Sequence, residues 1–457
     1  MESIYPKNQE HLSFTGQIQK NILALGVLLS LAAAFLVWVA PLNWLIGLFL
    51  GVAATAGLLL LLRHPVMGIP LVLMFAPLAA YEARAGIPFV GFLPISLGQI
   101  AFIGLIALWV LTRLIKREVC FPQAKSFTWL LLFAGLMIVT TLPALSTADG
   151  AKEVIKWIQL GLMMLICLDL TRYAAKDWQL LNHGIWLPVS FLVIGGLSQS
   201  IIGISQFVNP NGPESFQILG RFSRAFGTFE QPNPFGGYIA WHFVFFTGLI
   251  LPSLTNRLMH FIQPKQKLQD ENLHWLPTAG FIVIILLFGV ALVASWSRGA
   301  WLAAVAGLAT ITLFLPKDRK TGILLILTAI LGIVILWQSG LLPNSITSRL
   351  ASSTQIEFIP VRDQEVSPAN FAVLERQAFW QAAFSMFESN IWTGVGFGNY
   401  DAAYPDHFVG TWERSLGHAH NYYINLLAET GIVGLLAYLI FWAVIVCQLL
   451  FILPNLD

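Results

Sequence analysis

The sequence has 457 residues, of which 57% are hydrophobic and only 11% are charged. Ordinary soluble domains carry roughly 25% charged residues, so this composition argues against a soluble globular protein and predicts an integral membrane protein. The formal net charge of +2 comes from 25 basic residues spread over many connections, which argues against a nucleic-acid partner. Cys120, Cys167 and Cys447 lie far apart and predict neither a disulfide nor a zinc site.

The hydrophobic residues come in blocks of membrane length separated by short polar segments. Because every backbone group must be satisfied inside lipid, such blocks predict helices. At roughly 20 apolar residues per span, the expected fold class is all-α, a polytopic membrane protein with about twelve transmembrane helices. The polar first residues do not resemble a cleavable signal peptide, so the first block is expected to be a retained span. The predicted spans are 21–40, 43–62, 65–81, 96–114, 126–145, 153–171, 186–207, 234–253, 278–296, 299–315, 321–339 and 421–453.

Basic residues fall at every second connection between these spans. By the positive-inside rule such connections are cytoplasmic, which places both termini inside the cell, in the cytoplasmic membrane. The residues are Arg63 with His64; Arg113, Lys116, Arg117 and Lys125; Arg172 and Lys176; Arg257, Lys265 and Lys267; and Lys317, Arg319 and Lys320.

The opposite, extracytoplasmic connections include three long segments, at residues 82–95, 208–233 and 340–420. The longest is too long for a simple connector, so function is expected there. The predicted organisation is residues 1–339 with the first eleven spans, 340–420 as an extracytoplasmic loop, and 421–457 with the last span.

Within that loop, apolar residues recur at intervals of three and four between Ala369 and Phe387. This spacing predicts an amphipathic helix. We expect it to lie on the membrane surface.

A first candidate site is the stretch from Arg221 to Gly237, RFSRAFGTFEQPNPFGG. Arg221 and Arg224 stand beside a turn-rich segment, where cationic groups and free backbone N–H donors can face one anion such as a phosphate. The alternative is a solvated loop whose arginines meet lipid headgroups.

A second candidate is Arg298 in the sequence ASWSRGAW, between two predicted spans. An ionisable residue at such a depth is a functional candidate, and a guanidinium can hold a diphosphate through two oxygens. The alternative is an arginine that reaches from the hairpin to the membrane surface.

A third candidate is the segment from Gly417 to Gly431, GHAHNYYINLLAETG, with His418, His420 and Asn421 at the start of the last span. A neutral imidazole can take a proton from a hydroxyl near pH 7. The alternative is a polar feature at a helix start, and one His-x-His pair without further ligands predicts no metal.

A fourth candidate is Glu375 with Arg376, together with the segment GVGFGNY that begins at Gly394. The glycines suit a flexible turn that a substrate could approach closely. For Glu375 and Arg376 the alternative is an ion pair on the helix surface.

Taken together and in this order, the four segments resemble the O-antigen ligase and polymerase superfamily. The resemblance rests on RAFGTFEQPNPFGGY, SWSRGAWL, LERQAFWQAAFSMFESNIWTGVGFGNY and HAHNYYINLLAETGIVGLLAYL, which begin at residues 224, 295, 374 and 418. It covers the C-terminal half of the chain, whereas the first 200 residues match only in hydropathy.

The resemblance implies transfer of a glycan from a polyprenyl diphosphate carrier to an acceptor hydroxyl at the outer face of the cytoplasmic membrane. It implies no metal, cofactor or nucleotide. Arg224 and Arg298, with Arg221, would hold the diphosphate, and His420 would be the general base. His418, Asn421, Glu375 and Arg376 are secondary candidates. The expected partners are the lipid-linked donor, a glycan, lipid or protein acceptor, and membrane lipid.

Three alternatives remain open at this level. The first is a polysaccharide polymerase of the same superfamily. The second is a secondary transporter of the inorganic-carbon type, although the predicted spans are nearly free of charge and transporters place ionisable groups at the bilayer midplane. The third is a noncatalytic scaffold in envelope assembly.

Overall fold

The computed structural model describes residues 61, 65–78, 96–116, 124–176, 186–210, 212–262, 275–316, 318–340, 347, 360–362, 364–367 and 370–452. Apart from residue 61, the first two predicted spans lie outside the described residues, as does the segment 82–95. The chain divides into two compact units, Met1–Pro65 and Val66–Asp457. The architecture below is that of the second unit.

The described residues are mostly helical. The α-helices are α1 (Gly68–Phe75), α2 (Leu97–Lys116), α3 (Lys125–Thr141), α4 (Thr147–Lys176), α5 (Trp186–Val208), α6 (Pro232–Ile262), α7 (Trp275–Ala294), α8 (Arg298–Phe314), α9 (Arg319–Gln338), α10 (Phe371–Ser389), α11 (Tyr400–Ala403) and α12 (Tyr422–Ile452). Short 3-10 helices occupy Pro65–Met67, Ala76–Leu78, Glu214–Phe216 and Tyr404–Asp406.

A small antiparallel hairpin departs from the predicted all-α fold. Its strands are β1 (Gln217–Ile218) and β2 (Phe222–Ser223), with Gln217 opposite Ser223. Leu219 and Gly220 adopt positive φ angles of 53° and 70° and reverse the chain between the strands. The hairpin comes immediately before Arg224, whose N–H donates to the Phe216 carbonyl at 2.8 Å.

Among the residues that the structure describes, five helices are long and apolar enough to cross a membrane, namely Leu97–Ile115, Val189–Val208, Pro232–Pro252, Arg319–Gln338 and Tyr422–Phe451. Shorter apolar helices lie at Pro65–Phe75, Lys125–Thr141, Ala279–Ala294 and Arg298–Phe314. The count of about twelve spans therefore stays a prediction.

The largest buried cluster lies among α5, α6, α7 and α8. Phe235, Phe246 and Phe288 are fully buried there. Small residues let these helices approach closely, as is common for helices packed in lipid. A Cβ atom added to Gly203 of α5 would lie 2.3 Å from the ring of Phe235. This cluster carries, at the end of α7, the loop that leads to Arg298.

A buried ion pair joins α2 to α4. Arg113 pairs with Asp169, their side chains are 8% and 1% exposed, and Trp109 Nε1 donates to Asp169 Oδ2 at 2.7 Å. The sequence predicts Arg113 in a cytoplasmic connection and spans that are nearly free of charge. The structure instead places Arg113 inside α2 and pairs it with Asp169 inside α4, since two opposite charges that neutralise each other can be buried between helices. The cytoplasmic side of that connection stays a prediction.

The helix predicted between Ala369 and Phe387 is present as α10. Its buried residues pack against α12 and the segment that contains α11 in one cluster, which includes Phe379, Ala382, Met386, Tyr400 and Ala428. The apolar face that the sequence analysis assigned to the membrane surface is therefore covered by protein.

The segment after α10 pairs with a break in α12. At Gly431 the helix is interrupted, with φ 62° and ψ −166°. The N–H groups of Val395 and Gly396 donate to the carbonyls of Ala428 and Glu429 at 3.0 and 2.9 Å. In return, the N–H of Ile432 donates to Ile391 at 2.9 Å. The freed backbone groups of the broken helix thus obtain partners from the outer segment.

The glycines of this segment have a structural role. Gly394 and Gly396 adopt positive φ angles of 63° and 104°. A Cβ atom on Gly394 would lie 2.4 Å from the Ala428 carbonyl oxygen, and one on Gly396 would lie 2.3 Å from Ala144 Cβ. The interpretation of a flexible turn open to substrate is therefore wrong at these positions, because the protein already fills that space.

We predict that Gly394→Ala destabilises the protein more than Gly220→Ala. Both residues have positive φ, but a Cβ at Gly220 would meet nothing within 4 Å. Gly220→Ala should cost only the left-handed conformation, roughly 1–2 kcal/mol. Gly394→Ala should add about 1–3 kcal/mol for displaced backbone. Denaturation of the purified variants in detergent measures both, and equal losses would contradict the tight docking of this segment.

Candidate functional site

Arg224 is tied to the loop between α7 and α8. Its Nε donates to the Ser295 carbonyl at 3.2 Å and its Nη2 donates to Asn233 Oδ1 at 3.0 Å. Beside it, the N–H of Ala225 donates to the Ala294 carbonyl at 2.9 Å. Two of the predicted segments, around Arg224 and Arg298, therefore meet through hydrogen bonds.

The loop itself is held in an unusual conformation. Trp296 has a φ of 52°, which is rare for a bulky residue, and it is 7% exposed. Ser295 Oγ donates to the Leu292 carbonyl at 2.6 Å and accepts from the N–H of Ser297 at 3.2 Å. Trp301 Nε1 also donates to Leu292, at 2.9 Å. These bonds fix the backbone of the loop immediately before Arg298.

Arg298 is the first residue of α8 and is half-buried. The N-terminus of a helix carries a partial positive charge and unsatisfied N–H groups. A cation at that position is unfavourable by itself, whereas an anion there would be stabilised both by the helix and by the guanidinium. The position therefore suits a phosphate-bearing ligand.

A second guanidinium faces Arg298. Arg376 is exposed on α10, and its positive charge acts on both Arg298 and His420. Arg376 thus lies within electrostatic reach of both Arg298 and His420, which belong to two other elements. Since like charges repel, this cluster is more favourable with a multiply charged anion among them.

His420 lies at the start of α12 in a strained conformation. Its φ is 53°, and its ring stacks on Phe379 with a centroid distance of 5.5 Å. Partial withdrawal from water lowers the pKa of His420 to about 4, and the positive charges of His418 and Arg376 act in the same direction. The imidazole is consequently neutral at pH 7, the form that can accept a proton.

The neighbouring polar residues hold His420 in place. His418 Nδ1 accepts a hydrogen bond from the backbone N–H of His420 at 3.1 Å, and the two rings lie 4.3 Å apart. Asn421 Oδ1 accepts from the N–H groups of Tyr423 and Ile424 at 3.0 and 3.4 Å, so it caps α12. His418 and Asn421 therefore order the backbone on either side of His420.

Glu375 lies on the same helix as Arg376 and is half-buried. Partial burial raises the pKa of the Glu375 carboxyl, while Arg376 acts in the opposite direction. Within the part of the chain that the structure describes, the ion pairs are Arg113–Asp169, Lys152–Asp149 and Lys156–Glu153. The proposed surface ion pair between Glu375 and Arg376 is not formed, because adjacent residues on a helix point in different directions.

Arg221 is not brought into this cluster. It is exposed on the hairpin, and its guanidinium lies 4.6 Å from the ring centroid of Phe222. Phe222 in turn stacks on Phe207 of α5 at 4.7 Å. Among the described contacts, none joins Arg221 to the other basic residues.

The family resemblance implies that Arg298 and His420 serve one site, but it leaves Arg376 as a secondary candidate. The electrostatic effect of Arg376 on both residues was not predicted, because the three segments are far apart along the chain. Phe379, on which His420 stacks, was interpreted only as part of an apolar helix face. Its single available signal was its position three residues after Arg376. Among the described residues, no group of three or more His, Cys, Asp or Glu side chains could hold a metal ion.

Comparison with known proteins locates the family relationship in the C-terminal half. The family model described as O-antigen ligase matches residues 282–439. That range includes Arg298, Arg376 and His420, whereas Arg224 and the hairpin precede it. No curated protein matches the chain. The resemblance to the O-antigen ligase superfamily is thereby confirmed, and the chain is a membrane protein that carries an O-antigen ligase domain at residues 282–439.

Proposed function

We propose that this protein is a glycosyltransferase that moves a glycan from a polyprenyl diphosphate carrier to an acceptor hydroxyl. The observation that carries the proposal is that the charge of Arg376 acts on both Arg298 and His420 inside the segment that matches the O-antigen ligase family. Cations for a diphosphate and a neutral base for a hydroxyl are the two functions that this transfer requires.

The arginines would bind the donor. Arg298, at the positive end of α8, and the facing Arg376 would hold the two phosphates, which would relieve their mutual repulsion. Arg224 would add charge and, through its bond to Ser295, keep the loop before Arg298 in place. Arg221 lies on the hairpin outside this cluster, so it would contact only a part of the donor that extends to the hairpin. The first two would also offset the charge that develops on the leaving diphosphate.

His420 would activate the acceptor. Its neutral imidazole would take the proton from the acceptor hydroxyl while that oxygen attacks the anomeric carbon of the donor glycan. The bond between the anomeric carbon and the diphosphate oxygen breaks in this step, and the carrier diphosphate leaves with the bonding electrons. The secondary candidate Glu375 would act only if His420 does not.

The proposed site faces the outside of the cytoplasmic membrane. The support is the charge distribution, since basic connections alternate with the long segments that carry the site. On this topology both termini are cytoplasmic. The donor would reach the site on the side where its glycan is displayed.

Two alternatives make different use of the same features. A polysaccharide polymerase would employ the same donor chemistry with another glycan as acceptor. A secondary transporter would require ionisable groups in its spans, and the pair Arg113–Asp169 is the observation that favours it. That pair lies near the C-terminal ends of α2 and α4 and is neutralised internally, which is the arrangement of a structural cross-link.

The deciding experiment is reconstitution of the purified protein in lipid with a polyprenyl diphosphate glycan and a panel of acceptors. Stoichiometric carrier release and glycan transfer would support the proposal. Binding of the donor without release of the carrier under any acceptor would contradict it.

We expect His420→Ala to reduce transfer by on the order of a hundredfold or more, because the acceptor hydroxyl loses its base. His418→Ala should have a smaller effect, because His418 only accepts a hydrogen bond from the backbone of His420. Turnover in lipid measures both, with donor binding on the same samples as the control for folding. If His420→Ala keeps full turnover, His420 is not the base, and a carboxylate such as Glu375 is the next candidate.

We expect Arg298→Lys to lose most transfer although the charge is kept, since an ammonium cannot hold two phosphate oxygens in the manner of a guanidinium. Arg319→Lys is the matched control, because Arg319 belongs to a basic connection outside the proposed site. Donor binding and turnover are measured for both variants in lipid. If Arg298→Lys and Arg319→Lys show the same donor binding and turnover, Arg298 does not bind the diphosphate and acts only as a topology signal.

The pH dependence should differ between kcat/KM and kcat. The pKa of His420 is about 4 in the free protein, and protonated His420 cannot accept a proton, so kcat/KM should fall only as the pH approaches 4. A bound diphosphate favours the imidazolium and raises this pKa, so kcat should fall at a higher pH. Arg376→Gln should move the kcat/KM limb upward, because one of the charges that lower this pKa is removed. If the acidic limb of the kcat/KM profile is the same in Arg376→Gln as in the wild type, the charge of Arg376 does not lower the pKa of His420.

A further inference from the structure

We propose that a groove on α10 binds sugar units of the glycan substrate, away from the reacting bond. The groove has a volume of about 490 Å³ and is lined by Gln381, Phe384, Ser385 and Glu388. This volume falls within the roughly 300–1,000 Å³ of small-molecule sites. The inference rests on the proposed function for the identity of its ligand, but its existence as a sugar site can be tested independently.

The four lining residues belong to one face of α10. They recur at the spacing of three and four residues that places helical side chains together. The buried residues of the same helix, such as Ala378, Ala382 and Met386, point to a different face and pack against protein. The groove therefore uses the part of α10 that the core leaves accessible.

Two of the polar groups are fixed by neighbouring elements. Ser385 Oγ forms a hydrogen bond with His407 Nδ1 at 2.9 Å. Gln381 Oε1 accepts from the N–H of Val361 at 3.4 Å. A hydroxyl and an amide held in this way present donors and acceptors in defined directions, which reduces the ordering required when a polar ligand binds.

Glu388 occupies a position where its charge does not stabilise the helix. It lies in the last turn of α10, where a carboxylate faces the negative end of the helix dipole. It is exposed, and among the described residues no ion pair includes it. A carboxylate can accept hydrogen bonds from two adjacent hydroxyl groups, which is a common demand of a sugar ring.

The combination of groups selects the class of ligand. A carboxylate, an amide and a hydroxyl match the hydroxyls of a sugar, and the ring of Phe384 offers an apolar surface to its C–H face. Among the described residues that line the groove there is no lysine or arginine, which disfavours phosphate. The same described lining holds one large apolar side chain, too few for a lipid tail.

The groove lies apart from the proposed reacting centre both along and around α10. From Arg376 to Ser385 the helix rises about 14 Å, at about 1.5 Å per residue, and successive residues turn by about 100°, so Arg376 lies on a different side of α10 from the lining residues. A glycan that joins the arginine cluster to the groove would therefore have to pass around the helix, which places the bound sugar two or more units from the reacting bond. This sugar could belong to the donor glycan or to a glycan acceptor, which share the same chemistry.

The first test measures binding of phosphate-free, neutral oligosaccharides of two to five units to the full-length protein in lipid nanodiscs. Saturation-transfer NMR and calorimetry are the readouts. Glu388→Gln and Phe384→Ala should each weaken binding at least about tenfold. Glu413→Gln and Phe371→Ala are matched controls, since both residues are exposed on the same outer segment outside the groove. Because Glu388 is exposed, its variant keeps the test valid if Phe384→Ala misfolds.

The second test measures transfer with the same variants. Glu388→Gln should raise KM while kcat stays near the wild-type value, and the substrate whose KM rises identifies the sugar as part of the donor or of the acceptor. If none of the oligosaccharides binds, or if groove variants and control variants bind them equally well, the groove is not a sugar site, even if transfer is normal. Sugar binding that depends on Glu388 without any transfer would instead overturn the transferase.

Discussion

The pairing of the outer segment with the broken last helix is the constraint on which the site depends. The hydrogen bonds from Val395 and Gly396 to Ala428 and Glu429 fix the chain immediately after α10. Glu429 Oε1 also accepts from the N–H of Tyr400 at 3.1 Å. Since α10 carries Arg376 and the start of α12 carries His420, one junction sets the separation of the two groups.

The same junction is anchored on its other side. Asn399 is fully buried, accepts a hydrogen bond from the N–H of Ser146 at 2.6 Å and donates to the Ser146 carbonyl at 3.0 Å. The turn between α3 and α4 is thereby joined to the outer segment. The segment after α10 is thus an ordered layer between helices, and its order explains how exposed residues such as Arg376 can hold a defined position.

Without a ligand, the positive charges of the site interact unfavourably with one another. Arg298 and Arg376 repel each other, and Arg376 also opposes protonation of His420. A bound diphosphate would convert both costs into favourable interactions. Under the proposed function, donor binding would therefore raise the proton affinity of His420. The ring of His420 stacks on Phe379 while the residue keeps its positive φ.

The sequence predicted the helices, the arginine and histidine segments and the family, because apolar periodicity and motif order are local properties of the chain. It could not predict that Arg113 is paired with Asp169, since ion pairing between distant helices leaves no local pattern. It also misjudged Gly394 and Gly396, because a glycine in a flexible turn and a glycine under close contact look alike in sequence. The effect of Arg376 on Arg298 and His420 was not predictable either, since it depends on contacts between segments that are distant along the chain.

The hydrogen bonds of Arg224 and Ala225 to Ser295 and Ala294 extend the folded unit beyond the part that the family relationship covers. The family match begins at residue 282, inside α7. If residues 282–439 were excised or grafted onto another membrane protein, the loop before Arg298 would lose the partners that shape it. A piece that keeps these partners must therefore begin before Arg224, so the folded surroundings of Arg298 extend beyond the segment that the family shares.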